Sequence, residues 1–237
     1  MAKASAELLQ AKGASIAILD LPSSAGAEVA KQLGGTFHEV DVLDEAQTES
    51  AVHDAVDALG GLHIAVNTAG GGRPGKRTLS KDGPYPLSDF DWTIRLNLIG
   101  TFNLNRLQAE AMAKNEPEGD ERGVIIDTAS IAAFEGQIGQ VAYAAAKSGI
   151  VGMVFTMARD LGSLGIRAMA IAPSLFATGL TEGIPDEIAK VLTKDAAFPK
   201  RLGRPDEYGK LAVAIVENSM LNGLCIRLDA GTRFAPK

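Results

Sequence analysis

Three side chains spaced for acid–base chemistry lie in the middle of the 237-residue chain. Tyr143 and Lys147 are four residues apart, so on a helix they project from the same face. A free tyrosine has a pKa of about 10 and exchanges protons poorly at neutral pH. An ammonium one helical turn away favours the phenolate, so we expect Lys147 to lower the pKa of Tyr143 toward the working range. Ser130, at the end of the preceding apolar run, could hold a substrate oxygen beside the phenol.

A strand and a helix must position these side chains. Residues 123–130 form an apolar run typical of a strand inside a parallel sheet, and the following helix is predicted from Gln140 to Leu161. Elsewhere, predicted strands alternate with predicted helices. The alternation predicts one α/β domain over residues 1–237, a parallel sheet with helices on both faces. The further strands are expected at 15–20, 36–42, 62–67, 166–173 and 224–229, and the further helices at 2–12, 23–33, 44–59, 87–114 and 205–217.

Composition limits the function classes. The net charge of −6 argues against nucleic acid or an anionic membrane as the main partner. No apolar run approaches the roughly 20 residues of a membrane span, and no secretory signal is visible. The single cysteine, Cys225, excludes an internal disulfide and suits a reducing compartment. The three histidines lie on unrelated elements, so no metal site is predicted.

Several motifs in a fixed order carry a family resemblance. Asn67-Thr-Ala-Gly70, Asn97, Ser130, Tyr143 and Lys147 together resemble the short-chain dehydrogenase/reductase family, and the likeness extends over residues 4–234. It implies a Rossmann-like, doubly wound sheet and oxidation of a secondary alcohol by hydride transfer, with Ser130, Tyr143, Lys147 and Asn97 as catalytic residues. Four segments narrow the resemblance to one branch of the family, which acts on short 3-hydroxyacyl-CoA esters and, as side substrates, on hydroxysteroids. Their amino-acid sequences resemble those of that branch at residues 115–117, 122–130, 133–137 and 201–203.

The cofactor contacts are expected where the predicted strands end. Asp20 stands where dinucleotide folds place an acid against the ribose hydroxyls, which favours NAD over NADP. Gln137 is expected, with Ser130 and Tyr143, to contact the substrate. Residues 179–198 are expected to form a substrate lid. The loop 71–86 is either an ordered insertion near the substrate or mobile, and mobility is the favoured expectation. The family pattern implies the cofactor-binding set Asp20, Asp41, Val42, Asn67, Ala69, Gly70, Tyr143, Lys147, Pro173, Phe176 and Thr178; Ser174 replaces the glycine that the pattern has after Pro173.

The chain departs from the family at its start. The family opens with a strand and a Gly-rich turn, Thr-Gly-x-x-x-Gly-x-Gly, that brings backbone N–H groups to the pyrophosphate. Here roughly twenty residues are absent by comparison with that pattern, including a central strand between those at 15–20 and 62–67. The chain is thus expected to be truncated at its N-terminus relative to the family.

Three functions remain open at this point. The first is an NAD-dependent dehydrogenase of secondary alcohols. The second is a non-catalytic Rossmann-like subunit, or a truncated form unable to bind NAD, which the missing turn favours. The third is a reductase of 3-oxoacyl thioesters on a carrier protein, which would use NADPH and against which Asp20 argues.

The sequence also leads to expectations for the oligomeric state and the cellular location. The long helices predicted at 87–114 and 140–161 carry more apolar surface than one sheet face would cover. In the family such helices form the interface of a homotetramer, so a homotetramer is expected. The location is expected to be the cytoplasm, or the mitochondrial matrix if the source is eukaryotic.

Overall fold

The computed structural model describes residues 1–73, 75–179 and 184–235, apart from the side chain of Asp186. Its strands match the predicted positions with slightly shorter bounds, and the strand predicted at 166–173 is found with the same ends. The fold is α/β with parallel sheets flanked by helices, as predicted. The strands are β1 (Ala17–Asp20), β2 (Thr36–Glu39), β3 (Ile64–Asn67), β4 (Leu79–Ser80), β5 (Gly83–Pro84), β6 (Gly123–Thr128), β7 (Ile166–Pro173) and β8 (Cys225–Leu228).

The main sheet has four parallel strands in the order β3–β6–β7–β8. Every residue of β6 and β7 is buried, because helices cover both faces of these strands. On one face Val124 and Ile126 pack with Tyr208. On the other face Ala129 packs with Ile150. This sheet therefore contains the core that holds the carboxyl end of β6 in place.

A second, two-stranded sheet pairs β1 with β2 in parallel. Its strands are only half-buried, and both end on exposed acids, Asp20 and Glu39. Within the described residues (1–73, 75–179 and 184–235), no backbone hydrogen-bond pairing joins strand β1 to strand β3. The two strands that were expected to flank a missing central strand thus stay unpaired with each other.

The helices also agree with the predictions to within a few residues. Helix α3 (Glu45–Leu59) begins after Asp44, whose carboxylate accepts a hydrogen bond from the backbone N–H of Gln47 at 3.0 Å. It ends at Gly60, which has a φ of 74°. The helices are α1 (Ala2–Gln10), α2 (Gly26–Gln32), α3 (Glu45–Leu59), α4 (Leu87–Ile94), α5 (Gly100–Met112), α6 (Val141–Leu161), α7 (Asp186–Leu192) and α8 (Pro205–Val216).

The long helix predicted over residues 87–114 is interrupted. A π-helical turn, Arg95–Ile99, separates α4 from α5 and carries Asn97 at its centre. The Asn97 side chain bonds to the backbone of Gly71, far away in sequence. That contact holds an i→i+5 turn which the residue pattern alone does not predict, and such turns are frequent at functional sites.

The loop 71–86 is more structured than expected. Strands β4 and β5 pair as a small antiparallel hairpin within it. Its start is tied to α4, because Asp89 accepts hydrogen bonds from Arg73 at 2.6 Å and from Lys76 at 2.9 Å. The sequence analysis missed this order, since the ion pairs join residues that no periodic pattern connects.

The expectation that no segment has the length and apolar character of a membrane span is wrong for helix α6. Residues Val141–Leu164 are long and apolar enough, by length and composition, to cross a membrane, although no apolar run was expected to approach that length. A core helix of a soluble protein can meet the same criterion. In this fold the inner face of α6 packs against β7 and places Lys147 at the end of β6.

Candidate active site

Tyr143 and Lys147 lie on the first turns of α6 and face the carboxyl end of β6. The Lys147 side chain is 3% exposed, and its Nζ donates a hydrogen bond to the carbonyl oxygen of Thr128 at 2.8 Å. The same Nζ lies 5.7 Å from the centre of the Tyr143 ring. The spacing of four residues thus places an ammonium beside a phenol, as the sequence predicted.

Ser130 joins this pair from the loop after β6. Its hydroxyl lies close enough to the phenol of Tyr143 to lower the pKa of that phenol. Its Oγ also accepts a hydrogen bond from the backbone N–H of Ala132 at 3.1 Å, which begins a short 3-10 turn and fixes the serine. Ser130, Tyr143 and Lys147 therefore form one cluster.

The pKa values of the cluster differ from the expectation. Burial raises the pKa of Tyr143 above its usual value, and the hydroxyl of Ser130 opposes that rise. The expected lowering by Lys147 is not found. Burial lowers the pKa of Lys147 to about 8, opposed by the carboxylate of Asp127. Desolvation, which sequence spacing does not reveal, outweighs the attraction between ammonium and phenolate.

Asn97 reaches the same place from the π-helical turn. Its Nδ2 donates hydrogen bonds to the carbonyls of Gly71 at 2.7 Å and Thr93 at 3.0 Å, and its Oδ1 accepts one from the N–H of Gly71 at 3.1 Å. A Cβ on Gly70 would lie 2.7 Å from Asn97 Oδ1 and 3.4 Å from Lys147 Nζ. The turn after β3 therefore needs a glycine at position 70, whose φ is 156°.

A buried polar network behind the site was missed by the sequence analysis. The Asn67 Nδ2 lies 2.9 Å from oxygens of Asn105, Gln108 and Asp127, and Asn105 Nδ2 donates to Asp127 at 2.7 Å. The Asn67 side chain thus binds neighbouring elements together, and only the backbone of its turn is left to approach a cofactor. One sequence signal could have found the network: an aspartate inside the apolar run 124–129.

The predicted cofactor residues stand at the carboxyl ends of parallel strands, the edge where such sheets bind ligands. Asp20 is exposed after β1, and its Oδ1 accepts the N–H of Leu21 at 2.8 Å. Asp41 likewise accepts the N–H of Leu43 at 3.0 Å. The ring of Phe176 is buried in the main core and packs on Gly203. The other members of the set at strand ends are Val42, Ala69, Gly70, Pro173 and Thr178.

These residues fit a dinucleotide in part. Gly70 lets the backbone approach a ligand beside Asn97 and Lys147, and Asp20 can accept hydrogen bonds from ribose hydroxyls. The two ends of the set, however, stand on separate sheets, because β1 and β3 are unpaired in the described part of the chain. The candidate residues for the nicotinamide half thus lie close together, whereas Asp20, the candidate for the adenosine half, stands on a different sheet.

A cavity opens beside the first turn of α6, and its lining does not include Ser130, Tyr143 or Lys147. It has a volume of about 520 Å³ and lies between the loop 76–79 and the segment 136–141. Gln137, the predicted substrate contact, lines it together with Ala144, the residue after Tyr143. In the part of the chain that the structure describes, no group of His, Cys, Asp and Glu could hold a metal ion.

Comparison with known proteins identifies the family. The family model described as enoyl-(acyl carrier protein) reductase matches residues 1–233. The chain is a short-chain dehydrogenase/reductase. The resemblance seen in its motifs is thereby confirmed, and membership makes the chain an oxidoreductase that acts on small molecules with a nicotinamide cofactor.

Two 3-hydroxyacyl-CoA dehydrogenases are more similar to this chain than a carrier-protein reductase is. The 3-hydroxyacyl-CoA dehydrogenase type-2 of Bos taurus is 49% identical over 237 residues, which cover 98% of this chain and 91% of that protein. The crystal structure of 3-hydroxyacyl-CoA dehydrogenase type-2 from Mycobacterium avium superposes with a TM-score of 0.94 at 41% identity, covering 99% of this chain and 92% of that one. The 3-oxoacyl-acyl-carrier-protein reductase of Thermotoga maritima is 29% identical over 236 residues, covering 97% of this chain and 92% of that protein.

Proposed function

We propose that this chain is an NAD-dependent dehydrogenase that oxidises the hydroxyl group of a short 3-hydroxyacyl-CoA. The observation that carries the proposal is the convergence of Ser130, Tyr143 and Lys147 at the end of β6, with Asn97 and Gly70 beside them. The names of the relatives that are 49% and 41% identical support the substrate class.

Ser130 and Tyr143 act on the substrate oxygen. The alcohol binds with its oxygen between the serine hydroxyl and the phenol, which lie close to each other. Ser130 stabilises the negative charge that develops on this oxygen, and Tyr143 receives the alcohol proton at its own oxygen. A nicotinamide cofactor, when bound, supplies the acceptor for the hydride that leaves the same carbon.

Lys147 and Asn97 support the proton transfer. The Lys147 ammonium, with a pKa of about 8, is mostly protonated at neutral pH. At 5.7 Å from the Tyr143 ring, its charge opposes the rise that burial gives the pKa of the phenol. Asn97 holds the turn at Gly71 through both atoms of its amide. Since that turn follows β3 at the cofactor edge, Asn97 fixes the wall against which the cofactor lies.

The choice of NAD rests on Asp20. A carboxylate at the end of β1 accepts hydrogen bonds from ribose hydroxyls and repels a 2′-phosphate. The residues that would hold the cofactor are Asp20, Asp41, Val42, Asn67, Ala69, Gly70, Tyr143, Lys147, Pro173, Phe176 and Thr178; the buried ring of Phe176 leaves its backbone for this role.

The substrate chain is proposed to occupy the cavity beside Ala144, where Gln137 could hydrogen bond the thioester carbonyl. Residues 179–198 are proposed as the lid over it. Two exposed apolar side chains of α7 support this role, Ile188 and Val191. Residues 180–183 lie outside the described part of the chain.

A second candidate is a non-catalytic member of the family. The unpaired edges of β1 and β3 favour it, because they separate the residues proposed for the two ends of the dinucleotide. The carrier-protein reductase has weaker support, since Asp20 disfavours NADPH and the reductase relative is only 29% identical.

Measurements of dinucleotide binding, followed by measurements of turnover, distinguish the dehydrogenase, the non-catalytic member and the carrier-protein reductase. Calorimetry with NADH and with NADPH should give saturable binding of NADH and much weaker binding of NADPH. Oxidation of 3-hydroxybutyryl-CoA with NAD should then exceed that of free 3-hydroxybutyrate and of the carrier-protein thioester. A folded protein that binds neither dinucleotide would favour the non-catalytic member. Preference for NADPH and the carrier-protein thioester would favour the reductase.

Assembly and location complete the proposal. Ile99, Phe102 and Phe155 are each about half exposed on the π-helical turn, α5 and α6, which supports a homotetramer that covers them. Sedimentation velocity tests this state, and a monomer at micromolar concentration would contradict it. The free thiol of Cys225 supports a reducing compartment, the cytoplasm or the mitochondrial matrix.

A further inference from the structure

The strand that ends at the catalytic cluster carries a buried acid. Asp127 is 1% exposed and immediately precedes Thr128, whose carbonyl oxygen binds Lys147 Nζ. Successive side chains of a strand point to opposite faces. Thr128 therefore bonds to Tyr208 on the α8 side, whereas Asp127 bonds to Asn105 on the α5 side. The acid thus sits under the face of the sheet that α5 and α6 cover.

The hydrogen bonds around Asp127 suit an ionised carboxylate. One oxygen accepts from Asn67 Nδ2 at 2.9 Å and the other from Asn105 Nδ2 at 2.7 Å. Both partners are amide donors, and a carboxylate offers only acceptors. The oxygens of Asn105 and Gln108 already lie against Asn67 Nδ2. A proton on Asp127 would therefore compete with these donors.

A buried negative charge needs a buried positive one. The charged and titratable side chains around Asp127 are Lys147 from α6 and, across the sheet, Tyr208 from α8; β3 and α5 contribute the neutral amides of Asn67, Asn105 and Gln108. Tyr208 stays neutral, because burial raises its pKa. Lys147 is the cation of the group. Its Nζ bonds the carbonyl of Thr128, the residue after Asp127, so the two charges attract each other across one residue of β6 without a direct contact.

We propose that Asp127 is a positioning residue of this site: its buried carboxylate is the counter-charge that keeps the ammonium of Lys147 at the end of β6, beside Tyr143. The inference rests on the proposed roles of Tyr143 and Lys147. Asp127 touches neither substrate nor cofactor in this scheme, and acts only through Lys147.

The direct test is a titration of Lys147 in protein labelled with ¹³C at lysine Cε, with Lys147→Met to assign the signal. In the unaltered chain the midpoint should lie at about pH 8. Asp127→Asn, which keeps the side-chain shape, should lower the midpoint by about one pH unit. Gln108→Met is the matched control, since it disturbs the same network without removing charge, and its midpoint should stay unchanged. Equal midpoints in all three proteins would overturn the proposal.

Two further measurements keep the test decisive. If Asp127→Asn fails to fold, aspartate ¹³Cγ spectra of the unaltered protein still decide, because a protonated Asp127 at pH 7.5 would overturn the proposal. In turnover, the upper pH limit should move down for Asp127→Asn and not for Gln108→Met. A chain that oxidises no alcohol would refute the proposed function, whereas the lysine titration would still decide the role of Asp127.

Discussion

The two sheets of this molecule differ in burial and in the work proposed for them. The four-stranded sheet has two strands in which every residue is buried, and its β6 ends at the cluster of Ser130, Tyr143 and Lys147. The two-stranded sheet is half-buried, apart from the exposed acids Asp20 and Glu39 at the ends of its strands. A pair of strands alone is marginally stable in water, so β1–β2 depends on α2 and α3. The groups proposed to react therefore stand at the sheet with fully buried strands, and the residues proposed to contact adenosine stand on the less buried one.

The substitution with the largest expected effect removes a proposed catalytic group and leaves both sheets intact. Tyr143→Phe removes the group that receives the proton, so turnover should fall by about 10³-fold. NADH binding should weaken far less than turnover, because the ring of Tyr143 remains, and thermal stability should stay nearly unchanged. Steady-state kinetics and calorimetry check this, with Tyr85→Phe as a control for the same chemical change in a neighbouring loop. Near-normal turnover in Tyr143→Phe would refute the proposed role.

Paired core truncations compare the sheets directly. Ile126→Ala in β6 removes a fully buried side chain and should cost about 3 kcal/mol of unfolding free energy. Ile18→Ala in β1, which is half-buried, should cost about 1 kcal/mol. Urea denaturation of both variants measures the difference. Equal losses would show that the two sheets are equally well packed.

The pH dependence of stability tests the buried acid in the rigid sheet. Burial raises the pKa of Asp127 from 3.8 to about 6, so the folded state binds more protons than the unfolded state between these values. The stability of the unaltered chain relative to Asp127→Asn should therefore fall as pH rises from about 4 to 6, by roughly 3 kcal/mol for a change of about two pKa units. It should level off above pH 7. Denaturation curves at each pH give the difference, and a flat difference would contradict the buried charge.

The smallest expected effect lies on the two-stranded sheet. Asp20→Ser removes the acid proposed for the ribose hydroxyls, so NADH binding should weaken about tenfold, roughly 1.4 kcal/mol. Binding of NADPH should weaken less or improve. Glu39→Gln, at the exposed end of β2, is the matched control and should bind NADH normally. An unchanged ratio of the two affinities in Asp20→Ser would remove Asp20 from the cofactor site.

Local pattern was sufficient for much of the fold. The strand at Ile166–Pro173 was predicted with its ends because it is an uninterrupted apolar run. Helix α6 and the cluster of Ser130, Tyr143 and Lys147 followed from a four-residue spacing and a strand end. By contrast, the π-helical turn at Asn97 and the hairpin within residues 71–86 were missed, since side-chain contacts to distant residues hold them.

The sequence by itself determined which residues can do chemistry, their order, and the elements that carry them, because side-chain type and periodicity are local properties. Only the tertiary structure decided how those groups behave. Burial raises the pKa of Tyr143 and lowers that of Lys147, and it places Asp127 behind them within a network of amides. Only the tertiary structure, too, divides the strands into two sheets. Desolvation and strand pairing depend on neighbours that are far apart in the chain, so no local pattern contains them.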